Sequence, residues 1–345
     1  MTGKEHFRAI LERKSEKSGF WHGCPHHEST AKLYPYFNVK NDFELGLGLS
    51  SISRFVSPEH FGYWKRKDYP MFDHLNKLKY KDAVKTSHGM TGVFAECEDV
   101  KEIHDYHWPQ PEDVDFTETM IEMERTIEAG QAVLSGTWGS LFSNTWYYFG
   151  MENCFIKMHT NPELVEAVTG HIADFYLAAN EKLFALAKDK IDAVLIGIDL
   201  GSQLDCLISP ECFERFLLPF MKKLISQAHS HGYYLMLHSC GSVFRIIPQL
   251  IKAGVDILHP IQALAENMDA ETLTKNFGGK IIFTGGVDTQ RILPFGSPAD
   301  VRNEVLRLRK LFGPNYIVSP SHETILPNVR PENVEAMSRA AFEPI

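Results

Sequence analysis

Nothing in this sequence is apolar for long enough to cross a bilayer, which takes about twenty consecutive apolar residues. Positive charge is in the minority: 35 Lys and Arg stand against 44 Asp and Glu, a formal net charge of -9. That balance argues against nucleic acid or an anionic membrane as the partner. Cysteine is scarce, with six in 345 residues (Cys24, Cys97, Cys154, Cys206, Cys212, Cys240), irregularly spaced. Such spacing favours reduced thiols over a disulfide framework. The opening "MTGKEHFRAILERKSEKSGF" is charged and helix-like and lacks the form of a secretion signal, so reduced thiols in the cytoplasm are expected. No glycine-rich dinucleotide fingerprint follows an early strand, which weighs against a doubly wound nucleotide-binding sheet.

What is present is enough for a large core: 44% of the residues are hydrophobic and 12% are aromatic. Length alone allows one large α/β barrel or two smaller domains. The first 115 residues mix proline, histidine and aromatics without clear periodicity, as in "FWHGCPHHESTAKLYPYF" and "HDYHWPQPEDVDF". From residue 116 onward, short β-branched runs alternate with amphipathic helical patterns. Examples are "AVLSGTWG", the long helix opened by Asn161-Pro162, "DAVLIGIDLG", "YYLMLHSCG", "VDILHPIQ", "KIIFTGGVD" and "YIVSPSH". Brief Gly/Pro turns join the units with no linker or composition break. The pattern predicts one α/β domain over 1–345, a (β/α)₈ TIM-type barrel whose regular units run over 116–345 after an irregular N-terminal extension.

In such a barrel the functional face is the C-terminal end of the strands. The strand ends deliver Asp199, then His238 and Cys240, His259 and Gln262, Asp288, and finally His322 and Glu323. His238 and Cys240 are two residues apart, so an extended backbone turns both to one side. Imidazole and thiolate are good zinc donors. A third donor must come from another strand tip, and His322, with Glu323 as its substitute, is in place for it. The other reading of the pair is a buried free thiol beside a histidine bonded to backbone. Asp199 and Asp288 serve either a ligand or the turn that follows each; two glycines before Asp288 allow close backbone approach. The "HGCPHHE" stretch fits no zinc-finger spacing, and His22 is expected to line a pocket. Trp138, Trp146, Tyr147 and Tyr148 form an aromatic cluster that either packs the core or, through Trp138 and Tyr147, stacks on a ligand. Cys206 and Cys212 are read as structural.

From about residue 118 to the C-terminus, the chain resembles the uroporphyrinogen decarboxylase superfamily. The matching stretches are "IDLGSQLDCLISPECFERFLLPF", "LHSCGSV", "AGVDILHPIQ", "GGVDTQRIL" and "SPSHETILPNVRPENVEAM". The resemblance implies a TIM-type barrel and one of two chemistries. True decarboxylases carry an arginine-rich R-Q-A-G-R motif to hold a polycarboxylate; here "FWHGCPHHES" stands at that place, without arginine, and their "SDIL" loop is not recognisable. The cobalamin-linked methyltransferases bind zinc through an H-x-C pair, matched by His238 and Cys240, and a later cysteine, where this chain has His322.

The resemblance therefore implies a zinc-dependent methyltransferase exchanging a methyl group between a small substrate and a corrinoid protein. The substrate is a methoxylated aromatic donor or a thiol acceptor. Zn²⁺ on His238, Cys240 and His322 would polarise a methyl ether or activate a thiol. Asp199, His322 or Glu323 would handle protons, with His22, Trp138, Tyr147, Gln262 and Asp288 around the substrate. No D-x-H-x-x-G cobalamin-ligand motif occurs, so the cobalamin would arrive on a partner, and the chain itself is allowed to be a homodimer. Two alternatives are a metal-free decarboxylase or lyase, with His322 and Asp199 moving protons, and a non-catalytic corrinoid or tetrapyrrole binder.

Overall fold

The computed structural model describes residues 1–61, 63–64, 92–137 and 139–344. Its centre is a parallel sheet of eight strands: β1 (Gly19–Phe20), β2 (Ser53–Phe55), β3 (Ala132–Ser135), β4 (Ala193–Gly197), β5 (Tyr234–His238), β6 (Ile257–Ile261), β7 (Ile282–Val287) and β8 (Tyr316–Pro320). They pair in the order β1-β8-β7-β6-β5-β4-β3-β2. The two ends of that series meet where the Ile52 N–H donates to the Phe20 carbonyl at 2.9 Å, so the sheet closes on itself. Helices follow the strands, the longest among the described residues being Pro162–Ala187, with proline in its first turn. The expected (β/α)₈ barrel is what forms.

The barrel begins earlier than the sequence pattern suggests. β1 and β2 both come from the first 115 residues, beside the helices Gly3–Leu11, His27–Phe37 and Asp42–Gly48. Strands of two and three residues are too short to show a two-residue period, which is why this stretch reads as irregular.

Strand alternation decides which side chains reach the interior. Along β4, β5 and β6, Val194, Ile196, Leu235, Leu237 and Leu258 belong to the large core under the helices. The residues between them, Leu195, Met236 and Ile257, belong to a smaller core inside the barrel. Phe7, Ile10 and Leu11 of the first helix join that inner core. Continued one step, the same alternation turns His238 and His259 inward, paired in register across β5 and β6.

The first helix is held to the barrel by Asp192, just before β4. Its buried carboxylate accepts from Arg8 Nε at 2.7 Å and from the Val133 N–H at 3.0 Å, with Lys4 Nζ at 3.4 Å. Removing one side of this buried network leaves the Val133 N–H without its partner. Asp192→Ala is expected to lower stability by about 2–4 kcal/mol, measured as a shift of the urea midpoint. An unchanged midpoint would show that the helix is held by its apolar face alone. Among the described residues, no helix is long and apolar enough to cross a membrane.

Candidate active site at the barrel mouth

The strand tips bring together the groups that the sequence placed there. At the end of β5, His238 Nε2 lies 3.3 Å from Cys240 Sγ and 3.5 Å from Asp199 Oδ1. The Cys240 N–H donates to the same Asp199 oxygen at 3.1 Å. On its other side, His238 Nδ1 meets His259 Nδ1 at 3.1 Å and Glu323 Oε2 at 3.6 Å. His322 Nδ1 lies 3.3 Å from that carboxylate oxygen. Two sets of donor atoms, Asp199/His238/Cys240 and Cys240/His322/Glu323, each lie within 4.8 Å of one another. Cys240 is common to both.

Backbone packing makes this convergence possible. Gly241 has φ +79°, and a Cβ there would stand 2.4 Å from the Gly201 carbonyl carbon. A Cβ on Gly201 would meet the Cys240 oxygen at 2.6 Å. The loops after β4 and β5 therefore touch backbone to backbone, which sets Asp199 beside Cys240. The Gln262 side chain closes the turn from the third direction, its Oε1 accepting from the Gly241 N–H at 2.7 Å. Gly241→Ala is expected to cost about 1–3 kcal/mol of backbone strain and to pull Cys240 away from Asp199. Denaturant titration together with the reactivity of the Cys240 thiol reads both effects; wild-type behaviour in both would refute the packing argument.

The electrostatics form a coupled set. Burial alone would drag the His238 ring down, but the Glu323 charge and the contacts with Asp199 and Cys240 hold it well above its ordinary pKa. Burial and the neighbouring His238 and His322 hold His259 well below its own. Burial works against ionisation of Cys240, yet its contacts with His238 and His322 outweigh that and bring the thiol below the usual range. The His322 ring is raised chiefly by its bond to Cys240. Asp199 is lowered by His238 and the Cys240 N–H despite burial. The thiol is thus biased toward thiolate and flanked by two imidazoles.

A cavity of about 280 Å³ opens beside these groups, lined by Trp21, Cys24, Phe55, Ser57, Glu59, His60, Leu195, His259, Glu323 and Thr324. It adjoins a second space of about 460 Å³ that shares Cys24, Phe55 and His60. Cys24 is carried there by a short pairing of Cys24–Pro25 with Thr324–Ile325.

The model of one protein family, described as uroporphyrinogen decarboxylase (URO-D), matches residues 83–343. The chain belongs to the uroporphyrinogen decarboxylase family. Among curated proteins it is similar to the methylcobamide:CoM methyltransferase MtbA of Methanosarcina acetivorans, 29% identical over 147 residues, 43% of this chain and 40% of that protein. The corresponding protein of Methanosarcina mazei is 27% identical over 147 residues. The match thus spans well under half the length of these relatives. Among solved structures, a methyltransferase from Methanosarcina mazei superposes with TM-score 0.62 at 15% identity, covering 99% of this chain and 98% of that one. At that identity the likeness shows the shared barrel.

Within this family member, the remaining residues singled out from the sequence fall into distinct places. His22 is buried behind the cavity wall, its ring nitrogens 3.2 Å from Ser51 Oγ and from Asp42 Oδ1. Asp42, not His22, lines the larger space. Asp288 is nearly buried, and its Oδ1 accepts from the Gln290 and Arg291 N–H groups at 2.7 and 3.2 Å, which is the turn-capping arrangement. Tyr147 is half-buried on the helix Leu141–Phe149, edge-on to Trp146. Trp138 lies outside the described residues. Cys206 is half-buried away from this cluster, its thiol pushed up to about 11 mainly by burial. Trp21, Phe55, Glu59 and His60 were not anticipated as lining residues. The signal for Trp21 was its position one residue past a barrel strand too short to recognise.

Proposed function

We propose that this chain is a zinc-dependent methyltransferase that exchanges a methyl group between a small neutral substrate and a corrinoid protein. The observation that supports it most is Cys240: a sulfur held between two imidazoles, with two carboxylates in reach, at the mouth of the barrel. Zinc accepts N and S donors in this combination. His238, Cys240 and His322 are the residues that would hold it. Bound there, the metal would supply Lewis acidity toward an ether oxygen.

The chain's own groups then have definable tasks. Asp199 is held ionised and fixes the Cys240 turn through the N–H bond described above. Gln262 fixes the same turn from the side of β6. Glu323 is on the cavity wall and is placed to return a proton to the oxygen that loses its methyl group. Trp21, Phe55 and Leu195 give an apolar surface suited to a flat ring.

The substrate side follows from charge. Two carboxylates, Glu59 and Glu323, line the smaller cavity, whose described wall includes no arginine or lysine, while Arg54 and Arg125 line the adjoining space. A polycarboxylate would be poorly held, and an anionic thiol would be repelled from the same walls. A methoxylated aromatic is the class that fits. The reaction would break the methyl–oxygen bond, transfer the methyl group to a corrinoid on the partner, and leave a phenol once Glu323 returned a proton to the oxygen. The relatives' printed names support the corrinoid side of this reading.

Trp21→Ala is expected to raise KM for such a substrate by about tenfold or more, because burial of an aromatic face is lost, with little change in zinc content. An unchanged KM would move the ring-binding surface elsewhere. The metal-free decarboxylase reading is tested by metal analysis of the purified protein. Absence of zinc after reconstitution, with an intact fold, would favour it.

A further inference from the structure

His259 has a task that the proposed chemistry leaves open. Its ring is fully buried and stacked on Trp21, with centroids 4.9 Å apart. It forms part of the cavity wall. Nδ1 is engaged with His238 Nδ1 at 3.1 Å, whereas Nε2 is buried and has no hydrogen-bond partner among the described residues. A buried donor without a partner is costly, and native proteins seldom leave one without a reason.

The tautomer follows from the pair. Two facing nitrogens share one hydrogen. Glu323 Oε2, itself without a hydrogen-bond partner among the described residues, stands 3.6 Å from His238 Nδ1, which favours the hydrogen on that nitrogen. His238 Nε2 faces the thiol and Asp199. If Nε2 binds a metal there, or if the ring is doubly protonated, Nδ1 keeps its own hydrogen. His259 Nδ1 is then the acceptor, and the hydrogen of neutral His259 sits on Nε2.

We infer that His259 is a specificity-determining residue: its Nε2–H donates to an acceptor oxygen of a neutral aromatic ligand whose ring packs beside Trp21. The inference rests on placing the substrate in this cavity, but neither the tautomer nor the ligand bond requires zinc. The site thereby selects ethers over hydrocarbons of the same shape, since a ligand lacking the oxygen leaves the donor unpaired.

The test uses two probes that differ by one atom group, methoxybenzene and ethylbenzene, with binding measured by calorimetry on the full chain with and without zinc. The wild type should bind methoxybenzene about tenfold more tightly, the usual worth of one buried hydrogen bond. His259→Asn, whose amide reaches the Nδ1 position, should keep ethylbenzene affinity and lose the preference. His259→Gln, whose amide reaches the Nε2 position, should retain it. No preference in the wild type, no binding of either probe, or an undiminished preference in His259→Asn would overturn the inference. Long-range ¹H–¹⁵N spectra of the wild type give a check independent of variant folding: hydrogen on Nε2 supports it, and hydrogen on Nδ1 refutes it. If zinc is absent but the preference behaves as described, the metal reading fails and this one stands.

Discussion

Replacing Cys240 by alanine is expected to remove zinc and methyl transfer together. Among the described residues, Cys240 is the donor shared by both sets of convergent groups and supplies their sulfur. Zinc held by several protein donors is worth about 10–16 kcal/mol, and losing one ligand's share corresponds to roughly two to three orders of magnitude in affinity. The fold should persist, because the thiol lies at a strand tip and not among the residues of either core. Metal titration against a chromophoric chelator, with circular dichroism as the control, measures both. Retained zinc affinity in Cys240→Ala would show that the site is not built on this sulfur.

The second large effect is expected at His322. Its side chain is 40% exposed, so His322→Ala should cost little stability, yet zinc affinity should fall by roughly two orders of magnitude or more. Asp199→Ala should fall less, about 10–100-fold, as a residue that orients the Cys240 turn instead of binding the metal. The same chelator titration ranks the two. If Asp199→Ala were the more damaging, the third ligand would be the aspartate, and the set Asp199/His238/Cys240 would replace the one proposed.

The barrel and half of the site could be read from the sequence for a definite physical reason. A strand long enough to show alternation reveals which way its last residue points, so "LMLHSCG" placed His238 and Cys240 on the rim together. His322 is 82 positions beyond Cys240, and its approach to the thiol depends on barrel closure, which a local pattern does not carry; reading the strand tips of a barrel offered it, and the family resemblance has a cysteine at its place. β1 and β2 were missed because two or three residues hold no period. Asp288 and His22 are polar residues singled out in promising places whose bonds to a turn and to Ser51 and Asp42 no local pattern carries. His259 was visible at a strand end, but its partnership with His238 arises only from the register of β5 against β6.

Cys240 is proposed to serve a metal used in methyl transfer to a corrinoid. The most direct measurement is an anaerobic visible spectrum of zinc-loaded protein mixed with 2-methoxyphenol and reduced free cobalamin. Methylcobalamin is expected to appear with the wild-type protein, and only at background rates with Cys240→Ala and with metal-free protein. Equal rates for all three, or no methylcobalamin from the zinc-loaded wild type with any methoxylated aromatic, would contradict it.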